Sequence, residues 1–502
     1  MIRAGIICEQ HMAEDWLFPL LHGLNGTHVS PVYILIVARS TNKALAKRII
    51  EFPGSPLNME VHFCHLKEYF QDMQVPVNLD VFINITSMAS QKWMSGKTKY
   101  GILQYDFHRT KFRTLHAPIL KNYLPTVVHV LLMDPSGKEY IVETMQFKTI
   151  DHSVSKQVQF IKEAVYFTLP QMMVEISTNL FRMKRIAAYN EKKEPLIPGI
   201  YYLQFYTAWR TVVKYMRNLF QYNKWNIGIV RLPIQDFLEE PSSVSVSWLN
   251  EEAGLNFAAD PFAIMENGAI KVMYEKYDNA LRKGKIESVT FTDSFNAASL
   301  QMEKEFHLSY PYLFRDGDVI YMIPESSEAS CVDLFRMESG GWKKVKTLIH
   351  NFEGVDPTVC KWEGRWWMFC TSRQKKGSDL RLYIYYSDTV EGTWKPHQLN
   401  PVKTSICSAR PAGTPFSRDG LLFRPAQDSS RSYGRRIAIQ EVTILTENAF
   451  EEREVACVQP WQFDGPYKHG VHTLSSCGNY TVIDAKRVLL STANLFRIFR
   501  KN

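Results

Sequence analysis

Residues 354–372 read GVDPTVCKWEGRWWMFCTS: an Asp-Pro pair, a turn glycine seven residues after the proline, then a short aromatic strand. A proline followed six to nine residues later by a turn glycine and a strand returns three times, around Pro261 (ADPF, 259–262), Pro311 (SYPYLFRDGDVIYMIPES, 309–326) and Pro411 (SARPAGTPFSRDGLLFRPAQDSS, 408–430), with the prolines 50, 46 and 54 residues apart and the Asp-Pro pair itself recurring at Asp260. A period near 50 with several short strands per unit is the signature of a β-propeller blade. The segment HGVHTLSSCGNYTVIDAKRVLL (469–490) supplies a divergent fifth unit, and IGIVRL (227–232) is placed to fasten the ring.

In a propeller the innermost strand of each blade lines the central channel, so equivalent positions converge on one pocket. The residues before the four prolines are Asp260, Tyr310, Asp356 and Arg410. Fourteen residues after each proline come Glu275, Glu325 and Thr371; the fourth unit has a longer turn, which makes Gln427 or Asp428 the counterpart. Clustered carboxylates raise one another's pKa values, as general acid/base chemistry on a sugar requires. The candidate carboxylates are therefore Asp260, Glu275, Glu325 and Asp356. Arg410, Gln427, Asp428, His472, Glu275 and Tyr310 are the candidate substrate contacts, with Arg410 and His472 expected to neutralise a phosphate or a departing nucleotide diphosphate. For any single Asp-Pro pair a turn cap is the simpler explanation, and Glu275 is open to being an ordinary lysine partner; the repeat is what argues against turn caps for Asp260 and Asp356 together.

The N-terminal part has another rhythm. AGIIC (4–8), VYILIVA (32–38), DVFINIT (80–86) and YGILQYD (100–106) are apolar strands separated by amphipathic stretches, which predicts a doubly wound parallel α/β sheet. A hairpin follows around PSGK (135–138), then a long helix over 153–183 kinked at Pro170. The expected organisation is an α/β domain over 1–185, a linker with a basic amphipathic helix over 186–225, and the propeller over 226–502. The helix, with Arg210, Lys214, Arg217 and Lys224 among many aromatics, packs between domains on one reading and lies on an anionic membrane surface through 201–225 on the other.

The 502 residues are 45% hydrophobic and 13% aromatic, ample for large cores. Lys and Arg exceed Asp and Glu by 59 − 51 = 8, a mild excess that favours an acidic or phosphorylated partner or an anionic membrane surface, with no nucleic-acid partner expected. Eight scattered cysteines without zinc spacing predict free thiols, no metal site and a reducing compartment. With no secretory signal at MIRAGIICEQ and no uncharged apolar run of ~18 residues, the expected location is cytoplasmic, with the inner membrane face as the place of any surface contact.

The stretches AADPFAIMENG, SYPYLFRDGDVIYMIPESSE, VDPTVCKWEGRWWMFCTS, SARPAGTPFSRDGLLFRPAQDSSRSYG and HGVHTLSSCGNYTVIDAKR together resemble the propeller of the glucosamine inositolphosphorylceramide transferase amino-terminal family, over about 225–495. That propeller is similar to arabinanase-type and levansucrase-type glycosidases, which use three acids on separate blades; by position they imply Asp260 and Asp356. The fourth unit reads SARPAG and has no acid, which leaves Glu325 as the substitute and narrows the catalytic candidates to Asp260, Asp356 and Glu325. Residues 1–180 more weakly resemble the formyltransferase fold. In GILQYDFH, Gln104 and Asp106 stand where that family's Asn-x-His pair belongs, His108 follows two residues on, and the later Asp position falls on Pro135. The resemblance therefore implies a degenerate, non-catalytic domain. Together they imply a glycosyltransferase-type enzyme of cell-envelope glycan assembly (capsule, lipopolysaccharide or glycolipid) working at the propeller pocket on a glycan or glycolipid acceptor, with no certain cofactor and a nucleotide sugar as the implied donor. Two alternatives stay open: an N-formyltransferase acting on a nucleotide-linked amino sugar, and a non-catalytic glycan-binding protein.

Overall fold

The computed structural model describes residues 2–10, 17–18, 20–21, 29–38, 42–51, 59–64, 79–85, 92–105, 118–120, 125–162, 169, 172, 184–185, 200–339, 341–374 and 378–490. The chain divides into two compact units, Met1–Thr211 and Val212–Asn502.

The first unit holds an eight-stranded sheet. Ile2–Glu9, Val29–Val37, Glu60–Cys64, Val81–Asn84 and Ile102–Tyr105 are its parallel part, in the order third, second, first, fourth, fifth. Their near-continuous apolar runs bury both faces, as a covered parallel sheet demands. The antiparallel strands Thr126–Met133, Glu139–Phe147 and Lys184–Arg185 extend it. The hairpin expected at PSGK is present: Asp134 Oδ1 accepts from Ser136 Oγ and Lys138 N, and Gly137 takes φ 83°. Residues 154–162 are helical; the rest of the expected 153–183 helix, Pro170 included, lies outside the described residues.

The helix Ile200–Phe220 leads into the propeller. Its Tyr201, Phe205, Trp209, Val212 and Met216 are exposed, Tyr206, Val213 and Phe220 are half-buried, and Leu203 and Leu219 are buried. No helix among the described residues is long and apolar enough to cross a membrane.

Five sheets make the propeller. Blade 1 runs from Phe257–Glu266 to Ser299–Met302, blade 2 from Ser309–Asp316 to Gly341–His350, blade 3 from Gly354–Trp362 to Lys395–Pro396, and blade 4 from Phe416–Arg418 to Phe450–Val458. Blade 5 takes its inner strands, Gly470–Cys477 and Tyr480–Leu490, from the end of the chain and its outer strands, Gln221–Val230 and Val246–Trp248, from the start of the unit. The expected fastening strand is therefore real, and it pairs antiparallel with Tyr480–Leu490 over its whole length. Apolar clusters fill the seams between blades: Ile227 and Val482 meet Val272 and Val289 between blades 5 and 1, Phe369 and Ile384 meet Leu422 between 3 and 4, and Phe423 and Ile439 meet Leu474 and Ile483 between 4 and 5. Burial of this kind contributes about 25 cal/mol per Å² of apolar surface.

One irregularity repeats. In blade 1, Ala259 pairs Glu275 and Phe262 pairs Met273, so three steps on the inner strand oppose two on its neighbour. The same one-residue bulge occurs at 309–312, 355–358 and 471–474. A bulge leaves a backbone group unpaired, which is where a proline, lacking an N–H, fits without loss. The residue ahead of the proline is turned into the left-handed region, with φ 51° at Asp260, 45° at Tyr310 and 50° at Asp356. Three non-glycine residues held there, at the same place in three blades, mark strain kept where side chains must be aimed.

Candidate functional site

The bulges bring most of the sequence-predicted residues together, and nearly all are buried. Asp356 accepts from Arg410 twice, Nε to Oδ2 at 2.6 Å and Nη2 to Oδ1 at 3.2 Å, a bidentate pair joining blades 3 and 4. Arg410 Nη1 also donates to Asp379 Oδ1 at 2.7 Å, and Nη2 lies 3.9 Å from Glu325 Oε2. Gln427 Nε2 donates to Asp356 Oδ2 at 3.0 Å and to the Pro411 carbonyl at 3.1 Å. Between the two counterparts left open in blade 4, the structure selects Gln427, whose N–H bonds the Arg410 carbonyl. Asp428 is a correction: it holds Arg435, Arg436 and the Ser430 N–H within its own blade.

Asp260 sits beside blade 5. Its Oδ1 accepts from Thr473 Oγ1 at 3.1 Å and lies 3.5 Å from His472 Nε2. His472 Nδ1 is 2.6 Å from Asp484 Oδ2, and the imidazole stacks on Trp225 with ring centres 4.0 Å apart. Asp484 explains how blade 5 keeps the bulge without a proline. Thr473 stands where the other blades have Pro, and its N–H needs an acceptor; Asp484 Oδ1 accepts from both Thr473 N and His472 N, while Oδ2 accepts from Asp260 N. Asp260, His472 and Asp484 lie close enough to form a metal-like trio. Asp484, however, already gives both oxygens to three backbone N–H groups, and the trio reads as a hydrogen-bonded anchor.

Tyr310 is engaged within the protein. Its hydroxyl shares a hydrogen with Thr358 Oγ1 at 2.8 Å and accepts from Gly413 N at 2.8 Å, which ties blades 2, 3 and 4 across the axis. Its hydroxyl is a strut between blades. Glu325 accepts from Ser327 Oγ at 2.8 Å and lies 3.5 Å from Arg373. Among the described residues no lysine pairs with Glu275; His307 Nε2 lies 3.5 Å from its Oε1.

The electrostatics follow from burial. It pushes Asp356 up to about 7, against the pull of Arg410 and with help from Glu325. Burial likewise takes Asp260 up to about 6, opposed by His472 and reinforced by Asp356 and Asp484. Glu275 is raised well above the carboxylate range by burial and by Asp260, Glu325, Asp484 and Asp356 together. For His472 burial disfavours the charge, but Asp484 and Asp260 outweigh it and raise its pKa. The site therefore has carboxyl groups able to hold a proton near neutral pH beside one fixed guanidinium, the requirement for acid/base chemistry. Arg410 and His472 are matched by carboxylates, so they are not the free cations that phosphate neutralisation calls for.

Sequence reasoning missed Asp484, Thr473, Trp225 and Asp379. Asp484 alone had a signal: a fifth unit without proline leaves an N–H to satisfy. In the first unit, Gln104 is buried on a strand beside Asn84, while Asp106 and His108 lie outside the described residues. Cys8, Cys370 and Cys477 are buried thiols, Cys8 and Cys370 donating to the Glu9 and Tyr383 carbonyls.

Residues 238–469 match the model of a family described as glucosamine inositolphosphorylceramide transferase 1, N-terminal. The chain is 31% identical over 225 residues to glucosamine inositolphosphorylceramide transferase 1 of Arabidopsis thaliana, covering 43% of this chain and 29% of that protein. It is 30% identical over 206 residues to the protein of the same name from Oryza sativa subsp. japonica, covering 39% and 28%. The chain thus spans under a third of the length of the relatives it matches. Among solved structures it is similar to the catalytic domain of the Coprinopsis cinerea GH62 α-L-arabinofuranosidase (TM-score 0.37, 10% identity, 50% of this chain and 97% of that one) and to a family 117 glycoside hydrolase of Zobellia galactanivorans (TM-score 0.34, 13% identity, 55% and 92%). By sequence, the propeller of this chain is similar to the amino-terminal segment of the glucosamine inositolphosphorylceramide transferases.

Proposed function

We propose that the propeller channel handles a sugar residue in a glycosyl-transfer reaction of glycan or glycolipid assembly. One observation carries the reading: Asp260, Asp356, Glu325 and Arg410, from four blades, are aimed at one buried site, two of them from the same strained bulge. In this reading Asp260, tied only by Thr473 and His472, moves the proton, and Asp356, clamped by Arg410 and Gln427, stabilises positive charge developing at the sugar. The relatives' names support a transferase with a phosphoceramide-type lipid as acceptor, and a nucleotide sugar is the donor in this reading. The first unit serves as a degenerate formyltransferase-like docking module in this account, and the chain works at the cytoplasmic membrane face, its aromatic helix supplying surface contact.

A second reading, glycan binding without turnover, draws on the saturation of Asp356 by Arg410 and Gln427. The test is transfer of labelled sugar from a panel of nucleotide sugars to inositolphosphoceramide and lipopolysaccharide acceptors by the purified chain. Transfer that is lost in Asp260→Asn supports the proposal; sugar binding without any transfer favours the second reading, and equal transfer by the variant moves the chemistry elsewhere.

A further inference from the structure

A tyrosine on blade 4 reaches the same site. Tyr433 lies in the loop between Leu421–Asp428 and Arg436–Leu445, half-buried, with the Arg410 guanidinium carbon 5.2 Å from its ring centre. His472 and Trp225 meet the ring edge to face, at 5.1 and 6.1 Å between ring centres. The backbone is pinned on either side of it. The Tyr433 carbonyl accepts from Lys486 Nζ, the Gly434 carbonyl accepts from Val471 N at 2.9 Å, and Arg435 N donates to the Asp428 carbonyl at 3.2 Å. Gly434 takes φ 61°, and a Cβ there would stand 2.6 Å from the Trp225 ring, so the loop lies directly on blade 5. These contacts fix the ring, and none of them uses the hydroxyl. Tyr433 Oη has no hydrogen-bond partner among the described residues, whereas the Tyr310 hydroxyl has two.

Burial, with Asp260, Asp356 and Asp379 adding to it, holds the phenol well above its ordinary pKa against the pull of Arg410, so the hydroxyl keeps its proton and is a donor. A donor already fixed in place and left without a protein acceptor gives a ligand its hydrogen bond at little cost in ordering. A sugar hydroxyl suits the place: its oxygen accepts from the phenol while its own hydrogen goes to a neighbouring carboxylate, which an anionic oxygen cannot offer. We infer that Tyr433 is a sugar-contacting residue of the channel, whose hydroxyl donates to one ring hydroxyl of the bound sugar and makes the site demand that hydroxyl. This rests on the sugar-handling reading above and deepens it. A sugar lacking the hydroxyl leaves the phenol unpartnered, and a site built to bond a hydroxyl rejects the analogue without it.

The test compares the full wild-type chain with Tyr433→Phe and Tyr310→Phe. Tyr433→Phe gives up no hydrogen bond within the protein, so its melting temperature should equal or exceed that of the wild type, while Tyr310→Phe should lower it. Titration calorimetry then uses D-glucose, D-galactose and D-mannose, followed by the monodeoxy forms of whichever binds most tightly. In the wild type one deoxy position should cost about tenfold in affinity. In Tyr433→Phe the parent sugar should bind about tenfold more weakly and that same deoxy change should cost nothing, with the other positions unaltered. A lowered melting temperature for Tyr433→Phe, a deoxy penalty that survives in it, or a wild type indifferent to every deoxy change overturns the inference and leaves sugar handling intact. No binding of any sugar by the wild type overturns both.

Discussion

Asp260 and Asp356 share a backbone conformation and differ in what surrounds them, so the same substitution separates their roles. Asp356→Asn removes the charge that balances buried Arg410. Breaking one partner of a buried pair typically costs about 3–5 kcal/mol; asparagine keeps an acceptor, and a loss of about 2–4 kcal/mol is expected in urea unfolding. Asp260→Asn leaves Thr473 a partner and should lose about 1 kcal/mol or less. The pH dependence has a defined sign. Asp260 and Asp356 bind their protons more tightly in the folded chain, at about 6 and about 7, than as ordinary carboxylates. The stabilisation this gives is complete below about pH 4 and is lost as pH rises through those values. His472, raised as well, acts in the same direction. The unfolding midpoint of the propeller should fall between pH 5 and 8, and Asp260→Asn should make the fall shallower; a flat or rising profile contradicts the burial argument.

The bulge is the element that turns sequence into site. The proline pattern, the turn glycines and the blade period were readable because they recur, and repetition separates a scaffold position from a local accident. Asp260, Asp356 and Arg410 followed from position, whereas position left Gln427 and Asp428 as alternatives. Tyr310 shows the limit: it occupies the same aimed position, but whether its hydroxyl meets a ligand or Gly413 of blade 4 depends on a contact across the ring, which no local pattern encodes. Asp484 was hidden for the opposite reason, because it repairs a departure from the repeat. Gly413 marks the junction of blades 4 and 5. Its φ is 123°, and a Cβ there would stand 1.9 Å from the Leu474 carbonyl oxygen. Both the conformation and the contact are backbone matters that cannot relax cheaply. Gly413→Ala should destabilise the propeller by more than about 3 kcal/mol, read as a lowered midpoint or loss of soluble protein; near-normal stability would mean that the two blades are not locked there.

At the scale of the whole molecule, the five-bladed ring and its fastening strand were foreseeable because strand-rich repeats and a leftover strand leave little else to build. The parallel strands of the first unit were likewise foreseen from their apolar runs, whereas the formyltransferase likeness, carried by Gln104, Asp106, His108 and Pro135, stays a reading of the sequence. What sequence could not supply was the charge balance of the channel, since it depends on which cations each carboxylate meets after folding. That balance underlies the central claim, that the channel between the blades is the functional centre. The most direct measurement is glycan synthesis in cells whose only copy carries Asp260→Asn, taken beside the melting temperature of the purified variant. The account predicts an almost unchanged melting temperature and a loss of about a hundredfold in glycan product, the scale of a missing proton-transfer group. Undiminished glycan in a fully folded variant would mean that the aimed carboxylates are turn caps and that the chemistry lies elsewhere.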